Sequence, residues 1–202
     1  MIISCVAEVI ENYLDPTINE ILSATRNRPR TFIFRADLKF PEFMAPCAMH
    51  DNNKVLTQFI RFFKYEIKKA SAPYRMSLQY IWAREQETSE KPHYHLVIML
   101  NKDVFDSLGC QSPDEYGSYT RDNLFHRMMR SWLKAMGFHH EAPLGQLISL
   151  GENPVTKQVW TSVLSEHDWY AINEAVYIAS YLCKAYTKPF AQGIRLFGTS
   201  EG

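Results

Sequence analysis

The sequence predicts an α+β fold built on a mainly antiparallel sheet. Short β-branched and aromatic runs alternate irregularly with amphipathic helical patterns, and two of the runs flank a single polar loop, as a hairpin requires. No repeat, low-complexity tract or long Pro/Gly/Ser linker divides the 202 residues, so 1–202 reads as one domain. Hydrophobic residues make up 46% and charged residues 22%, the balance of an ordinary globular chain. Lys+Arg and Asp+Glu both total 22, so the summed charge gives no argument for a polyanionic partner. Any nucleic-acid surface must be local.

The opening MIISCVAEVIENYL is apolar only briefly, lacks a basic leader and carries Glu8 and Glu11, so it reads as a short strand or helix rather than a signal peptide. No apolar stretch approaches the roughly 20 residues that span a bilayer. The scattered Cys5, Cys47, Cys110 and Cys183 read as reduced packing thiols, which with the missing leader predicts a cytoplasmic protein without membrane contact. Residues 31–39, TFIFRADLK, follow a basic turn and stop at Pro41; their composition predicts a strand. Residues 54–70 place Leu56, Phe59, Ile60, Phe63 and Ile67 on one helical stripe, with Arg61, Lys64 and Lys68 on a solvated one.

MSLQYIWARE, 76–85, and HYHLVIML, 93–100, predict the two strands of an antiparallel hairpin around QETSEKP. Residues 121–136 predict a helix closed by Gly137. Between 138 and 164 the runs 147–150 and 159–164 are candidate strands. From Ser165, a capping-box pattern with Asp168 opens a last helix that runs to Pro189.

KPHYHLVIML carries two histidines at the head of an apolar run. With seven histidines in the chain such a pair arises readily by chance, and a half-buried histidine bonded to a carbonyl is common. In a strand, however, residues i and i+2 share a face, so His93 and His95 can converge on one ion while Tyr94, Leu96 and Ile98 enter the core. A divalent ion held by two imidazoles wants an anionic third ligand; Glu85, on the preceding strand, supplies it, with Glu87 of the same parity as the fallback. Such a set suits Mg²⁺ or Mn²⁺, with Zn²⁺ or Ni²⁺ as in vitro substitutes.

On the last helix, at about 100° per residue, Tyr170, Asn173, Tyr177, Tyr181, Lys184 and Lys188 form one stripe. Ile172, Val176, Ala179, Leu182 and Cys183 form the opposite one. Tyrosines on a solvated face need no special explanation. Beside a metal, the stripe has a chemical use. A phenol ionises near pH 10 and is a poor nucleophile at neutral pH without help. Lys184 can supply charge to the phenolate of Tyr181 or to a phosphate, and an ion can polarise a phosphodiester. The product, a phosphotyrosine, conserves the energy of the broken linkage, so the strand can be resealed without ATP.

HYHLVIML resembles the His-hydrophobic-His motif of HUH endonucleases, and Tyr177-x-x-x-Tyr181-x-x-Lys184 resembles their tyrosine motif. The words WAREQE, KPHYHLVIMLNKD, SYLCKAYTKPF and IRLFGTS are similar to replication initiators of filamentous phages and to the related YagK/YfjJ-type domain of prophages, with FRADLKFP as the first motif. The resemblance spans about residues 30–200. It implies an HUH endonuclease domain: a central five-stranded antiparallel sheet of RRM-like type flanked by helices. It further implies a divalent metal on His93 and His95 with Glu85 as third ligand, and Tyr181 as the nucleophile that nicks single-stranded origin DNA to start rolling-circle replication in a bacterial host.

Where two-tyrosine initiators have a lysine three residues after the first tyrosine, this chain has Ser180, which leaves Tyr177 either a second nucleophile or a group that orients substrate. Asp37 falls in the first motif, with a salt bridge to Arg35 or a neighbour, a DNA contact or a metal role open. Arg84, Lys188 and Arg195 are candidate phosphate contacts. No helicase domain is evident, so a host helicase and replication proteins are expected partners. A relaxase or transposase of the same chemistry, and a non-catalytic RRM-like nucleic-acid-binding module with structural histidines, are the alternatives.

Overall fold

The structure, a computed structural model, describes residues 10–71, 77–86, 90–139, 142–153, 155–184, 188 and 193–200. Three long strands form its centre: β1 (Thr31–Leu38), β2 (Gln79–Glu85) and β3 (His93–Asn101). β3 pairs antiparallel with β1 on one side and with β2 on the other, so the hairpin expected around the polar loop is present. Three short strands complete the sheet: β4 (Ile148–Leu150), β5 (Thr161–Leu164) and β6 (Phe197–Thr199). β6 lies outside β2, while β4 and β5 both lie outside β1.

The expectation of five strands is therefore corrected to six. β4 pairs with Ala36–Leu38 and β5 with Thr31–Phe34, so the two lie end to end along one edge of β1 and share one position across the sheet. The described strand pairings are all antiparallel.

Both faces of the sheet are covered. Phe32, Phe34, Trp82, Tyr94, Leu96 and Ile98 point to one face, where α2 (Lys54–Ser71) and α3 (Leu124–Ala135) bring Phe59, Phe63, Phe125 and Trp132 against them. Ile33, Ile81, Val97 and Met99 point to the other, covered by Ile21 and Ala24 of α1 (Glu11–Arg26) and by Ile172, Ala175 and Ala179 of α4 (Trp169–Ser180). β3 is consequently buried on both sides, which is why its sequence is an unbroken apolar run instead of an alternation.

α2 matches its predicted stripe, with Leu56, Phe59, Ile60, Phe63 and Ile67 buried. α3 starts three residues later than its pattern suggests because the Asn123 side chain accepts from the His126 amide and caps it there. Gly137 follows α3 at φ 82°, a left-handed position that suits glycine. α4 is likewise capped by Asp168, which accepts from the Ala171 amide, and not by Ser165. The 16-residue α1 has no single reading in the sequence, since Pro16 sits inside it. Of the cysteines read as packing groups, Cys183 is buried, Cys47 and Cys110 are exposed, and Cys5 lies outside the described residues. Among the described residues no helix is long and apolar enough to cross a membrane.

Trp132 ties the layers together: it is fully buried, meets Phe59 and Tyr94 edge-on, and donates its indole N–H to the Lys39 carbonyl at 2.7 Å. Trp132→Ala is expected to lower stability by about 3–5 kcal/mol through the cavity it leaves, measured as a shift of the urea unfolding midpoint at constant slope.

Candidate metal centre and tyrosine

At one end of the face covered by α1 and α4, the apolar pattern gives way to ionisable groups. The register sets Asp37 of β1 opposite His95 of β3, and Glu85 of β2 opposite His93. Cross-strand partners share a side, so the pleat places Asp37, Glu85, His93 and His95 together, continuing the column that begins with Ile33, Val97 and Ile81.

Glu85 Oε2 lies 3.1 Å from His95 Nε2 and 3.9 Å from His93 Nε2. Ligand atoms of the three residues all fall within 4.8 Å of one another. One carboxylate and two imidazole nitrogens make a donor set that fits a divalent ion with coordination positions left over for water or substrate. Glu87, the alternative ligand, lies outside the described residues.

Asp37 completes the group from behind. Its Oδ1 is 2.5 Å from His95 Nδ1. An Nδ1–H donated to Asp37 leaves the Nε2 lone pair facing Glu85 and His93, the tautomer a metal ligand needs. In the metal-free protein burial pulls the His95 pKa down, but the hydrogen bonds and charges of Asp37 and Glu85 outweigh it and hold it above the ordinary histidine value. Burial raises the Asp37 carboxyl, yet His95 and Arg35 bring it below the usual carboxylate range. Burial and the neighbouring His95 push His93 the opposite way, below the ordinary value.

Two cations frame the cluster. Lys188 Nζ sits 3.5 Å from Glu85 Oε1 and donates to the Leu182 carbonyl at 2.8 Å. Burial lowers its pKa, against the pull of Glu85. Arg35 reaches Asp37 through Nε at 3.3 Å and Nη2 at 3.4 Å, and the same Nη2 lies 3.0 Å from His95 Nδ1. A Cβ on Gly151 would come within 2.8 Å of Arg35 Cβ and 2.9 Å of its Cγ, so the arginine stem lies where only glycine leaves room.

Arg35 also links the cluster to the tyrosine. Its guanidinium carbon is 4.8 Å from the centroid of the Tyr181 ring, and Lys184 Nζ is 3.1 Å from the same centroid. α4 does not continue to Pro189 as its pattern suggests. It gives way at Tyr181 to a 3-10 turn (Tyr181–Cys183), and Lys184 is already extended at φ −62°, ψ 141°. In that tighter turn residues i and i+3 eclipse, which brings Lys184 directly over the ring. Tyr181 itself remains 45% exposed, open to a substrate from solvent.

The structure does not bring every candidate residue here. Arg84, read as a phosphate contact, is 1% exposed on the opposite side of β2, where it donates to Tyr94 Oη at 3.0 Å and to the His50 and Asn52 carbonyls. Its parity, opposite to Glu85, carries it there. Lys188, read the same way, is buried as the partner of Glu85. Arg195 is exposed beside Trp82, and Tyr177 is 62% exposed on α4. Arg35 enters the sequence reading only as a candidate salt-bridge partner of Asp37, a pairing the structure contains; its reach to His95 and to the Tyr181 ring is what that reading does not give. Its signal is its parity with Asp37 on β1, which acquires meaning only once β1 is known to pair with β3.

An α+β domain with a largely buried Glu-His-His cluster beside a tyrosine that two cations approach is the class that fold and site define. A sequence profile of the YagK/YfjJ C-terminal domain matches residues 2–200, and the chain belongs to that family. It is 26% identical over 198 residues to the protein YagK of Escherichia coli (strain K12), described as uncharacterized, covering 91% of this chain and 90% of that protein. It is 26% identical over 126 residues to YfjJ of the same organism, also described as uncharacterized, covering 62% and 56% respectively. No solved structure matches the chain.

Two outcomes follow from this geometry. In titration calorimetry with Mn²⁺, Glu85→Ala, His93→Ala and His95→Ala should each abolish measurable binding. Asp37→Ala should weaken it by about 10–100-fold, and Tyr181→Phe should leave it unchanged. In the metal-free protein, the stability from Asp37 is present above its unfolded pKa and lost as pH falls through the lowered folded value. That from His95 is present below its unfolded pKa and lost as pH rises through the raised folded value. Melting curves in EDTA should therefore show the largest deficit of Asp37→Asn relative to the native chain between about pH 4 and pH 6.5; a deficit largest near pH 8 would contradict the assignment.

Proposed function

We propose that this protein is a metal-dependent single-strand DNA endonuclease and strand transferase of HUH type, which nicks origin DNA to initiate phage or prophage rolling-circle replication. The observation that carries the reading is the Arg35 bridge: one guanidinium touches both a histidine of the candidate metal centre and the ring of the exposed, lysine-flanked Tyr181. Resemblance of the ordered motifs to rolling-circle initiators supplies the substrate class.

Glu85, His93 and His95 would hold the divalent ion, Mg²⁺ or Mn²⁺, which when bound polarises the scissile phosphodiester. Arg35 and Lys184 offer positive charge at the ring of Tyr181, where the phenol must lose its proton and where an incoming phosphate would lie. The Tyr181 oxygen forms a bond to phosphorus, the bond from phosphorus to the 3′ oxygen breaks, and that oxygen takes up a proton. The DNA is left with a free 3′-OH to prime synthesis and a 5′-phosphotyrosine. Return of the 3′-OH to the same phosphorus reverses the step and reseals the strand. Asp37 holds His95 in its ligand tautomer, and Lys188 keeps the buried Glu85 carboxylate compensated. Opening of the duplex would fall to a host helicase.

Incubation with Mn²⁺ and a 3′-labelled pool of random single-stranded oligonucleotides should transfer label to protein, with the adduct mapping to the Tyr181 peptide. The transfer should vanish in EDTA and in Tyr181→Phe. Label transfer that persists in both Tyr181→Phe and Tyr177→Phe would rule out tyrosine chemistry.

A further inference from the structure

Three tyrosines stand in line on the outer side of α4 and its terminal turn. Tyr170 is 84% exposed, Tyr177 62% and Tyr181 45%. Tyr170 and Tyr177 are seven residues apart, which on an α-helix places them about 20° from one another around the axis and about 10.5 Å apart along it. The opposite side of the helix, with Ala171, Ile172, Ala175, Ile178 and Ala179, does the packing. Among the described residues, neither Tyr170 nor Tyr177 is in contact with another ring. Two large flat side chains are thus held in water, without a ring partner among the described residues, on the helix that leads to Tyr181.

The surroundings divide the line in two. Tyr181 lies between Arg35 and Lys184, whereas α4 itself, WYAINEAVYIAS, contains no lysine or arginine. At the position three beyond Tyr177, where Lys184 stands relative to Tyr181, Ser180 turns its hydroxyl back to donate to the Tyr177 carbonyl at 2.7 Å. Among the described residues, Tyr177 thus has no counterpart of the cation that Lys184 sets on the Tyr181 ring. It retains what an aromatic ring offers to any nucleobase, a wet π-face.

We propose that the outer stripe of α4 is a stacking track for unpaired DNA bases, with Tyr170 and Tyr177 as platforms that lead the strand to Tyr181. Tyr177 on this assignment is a positioning residue and not a second nucleophile. The proposal rests on the single-strand DNA reading above. The span between the two rings corresponds to about three nucleotides at the 3.4 Å rise of a stacked strand. Because α4 itself bears no lysine or arginine, the two platforms contribute stacking and not counterion release. Its removal should change affinity without changing salt dependence.

The test measures binding alone, in EDTA, so that it stands apart from cleavage. Fluorescence anisotropy would follow a labelled 20-nucleotide oligothymidylate and an abasic strand of the same length, across a salt series, with the intact protein and with Tyr170→Ala, Tyr177→Ala and Tyr177→Phe. The native protein should prefer the thymidylate strand. Each alanine variant should bind it at least about 5-fold more weakly, with an unchanged salt slope and unchanged affinity for the abasic strand. Tyr177→Phe, which keeps the ring, should match the native protein in binding, and with Mn²⁺ restored the adduct of the native protein should lie on Tyr181 and not on Tyr177. Native affinity in both alanine variants, equal losses on the two strands, or a loss in Tyr177→Phe as large as in Tyr177→Ala would overturn the proposal. Loss of label transfer in Tyr181→Phe with binding intact would leave both readings standing. Stacking without any label transfer in the native protein would remove the nuclease reading alone.

Discussion

The pairing of β3 with β1 on one side and β2 on the other is the constraint on which the site depends. It sets Asp37 and Ala83 beside His95 and Glu85 beside His93. A slip of one residue in either ladder would turn its contribution to the opposite face, because side chains alternate with a period of two. The register is held by burial farther along the same strands, where Ile33, Val97 and Ile81 pack beneath α1 and α4. The precision of the polar end is thus inherited from the apolar column.

The polar end is costly to bury. Two carboxylates, two histidines, Arg35 and Lys188 gather with little access to water, and a charge in such a place destabilises the fold unless it is compensated. The compensation is divided between the carboxylates: Arg35 serves Asp37, Lys188 serves Glu85, and His95 lies between them. An apolar set of equal volume would serve stability as well. The expense is better understood as the requirement of a site whose ligands must be ionised or neutral in a fixed pattern. The two rings of a single two-residue motif shift in opposite directions, His93 downward through burial and the neighbouring His95, and His95 upward because the hydrogen bonds and charges of Asp37 and Glu85 outweigh its burial.

Local periodicity made much of this legible in the sequence. The β2–β3 hairpin, the buried stripe of α2 and the shared face of His93, His95 and Glu85 all follow from periods of 2 and 3.6 applied to short windows. What escaped such windows depended on partners distant in the chain. Asp37 and Arg35 acquire their roles from a strand 58 and 60 residues away, and no local pattern names that strand as their neighbour. Arg84 is a different case, since its parity with Tyr94 and against Glu85 was available; proximity to the motif merely made it look like a phosphate contact. The end of α4 at Ser180 had no proline or glycine to mark it, yet the change to a 3-10 turn is what sets Lys184 on the Tyr181 ring. Of the short edge strands, β4 and β5 fall within the apolar runs 147–150 and 159–164 that marked them as candidates, while the three residues of β6 carried too few positions to show alternation.

Those edge strands have a bearing on how copies of the protein meet one another. The three central strands run to 8, 7 and 9 residues, whereas β4, β5 and β6 have 3, 4 and 3. Flanking contacts extend the cover on β2, where the Arg84 amide donates to the Leu196 carbonyl and the Ser200 amide to the Tyr80 carbonyl. Gly198 admits the Trp82 indole so closely that a Cβ there would lie 2.7 Å from its Nε1. The long strands thus have their backbone groups spent within the fold, and each rim presents a short template for strand addition. A sheet rich in β-branched and aromatic residues is protected in this way from edge-to-edge aggregation.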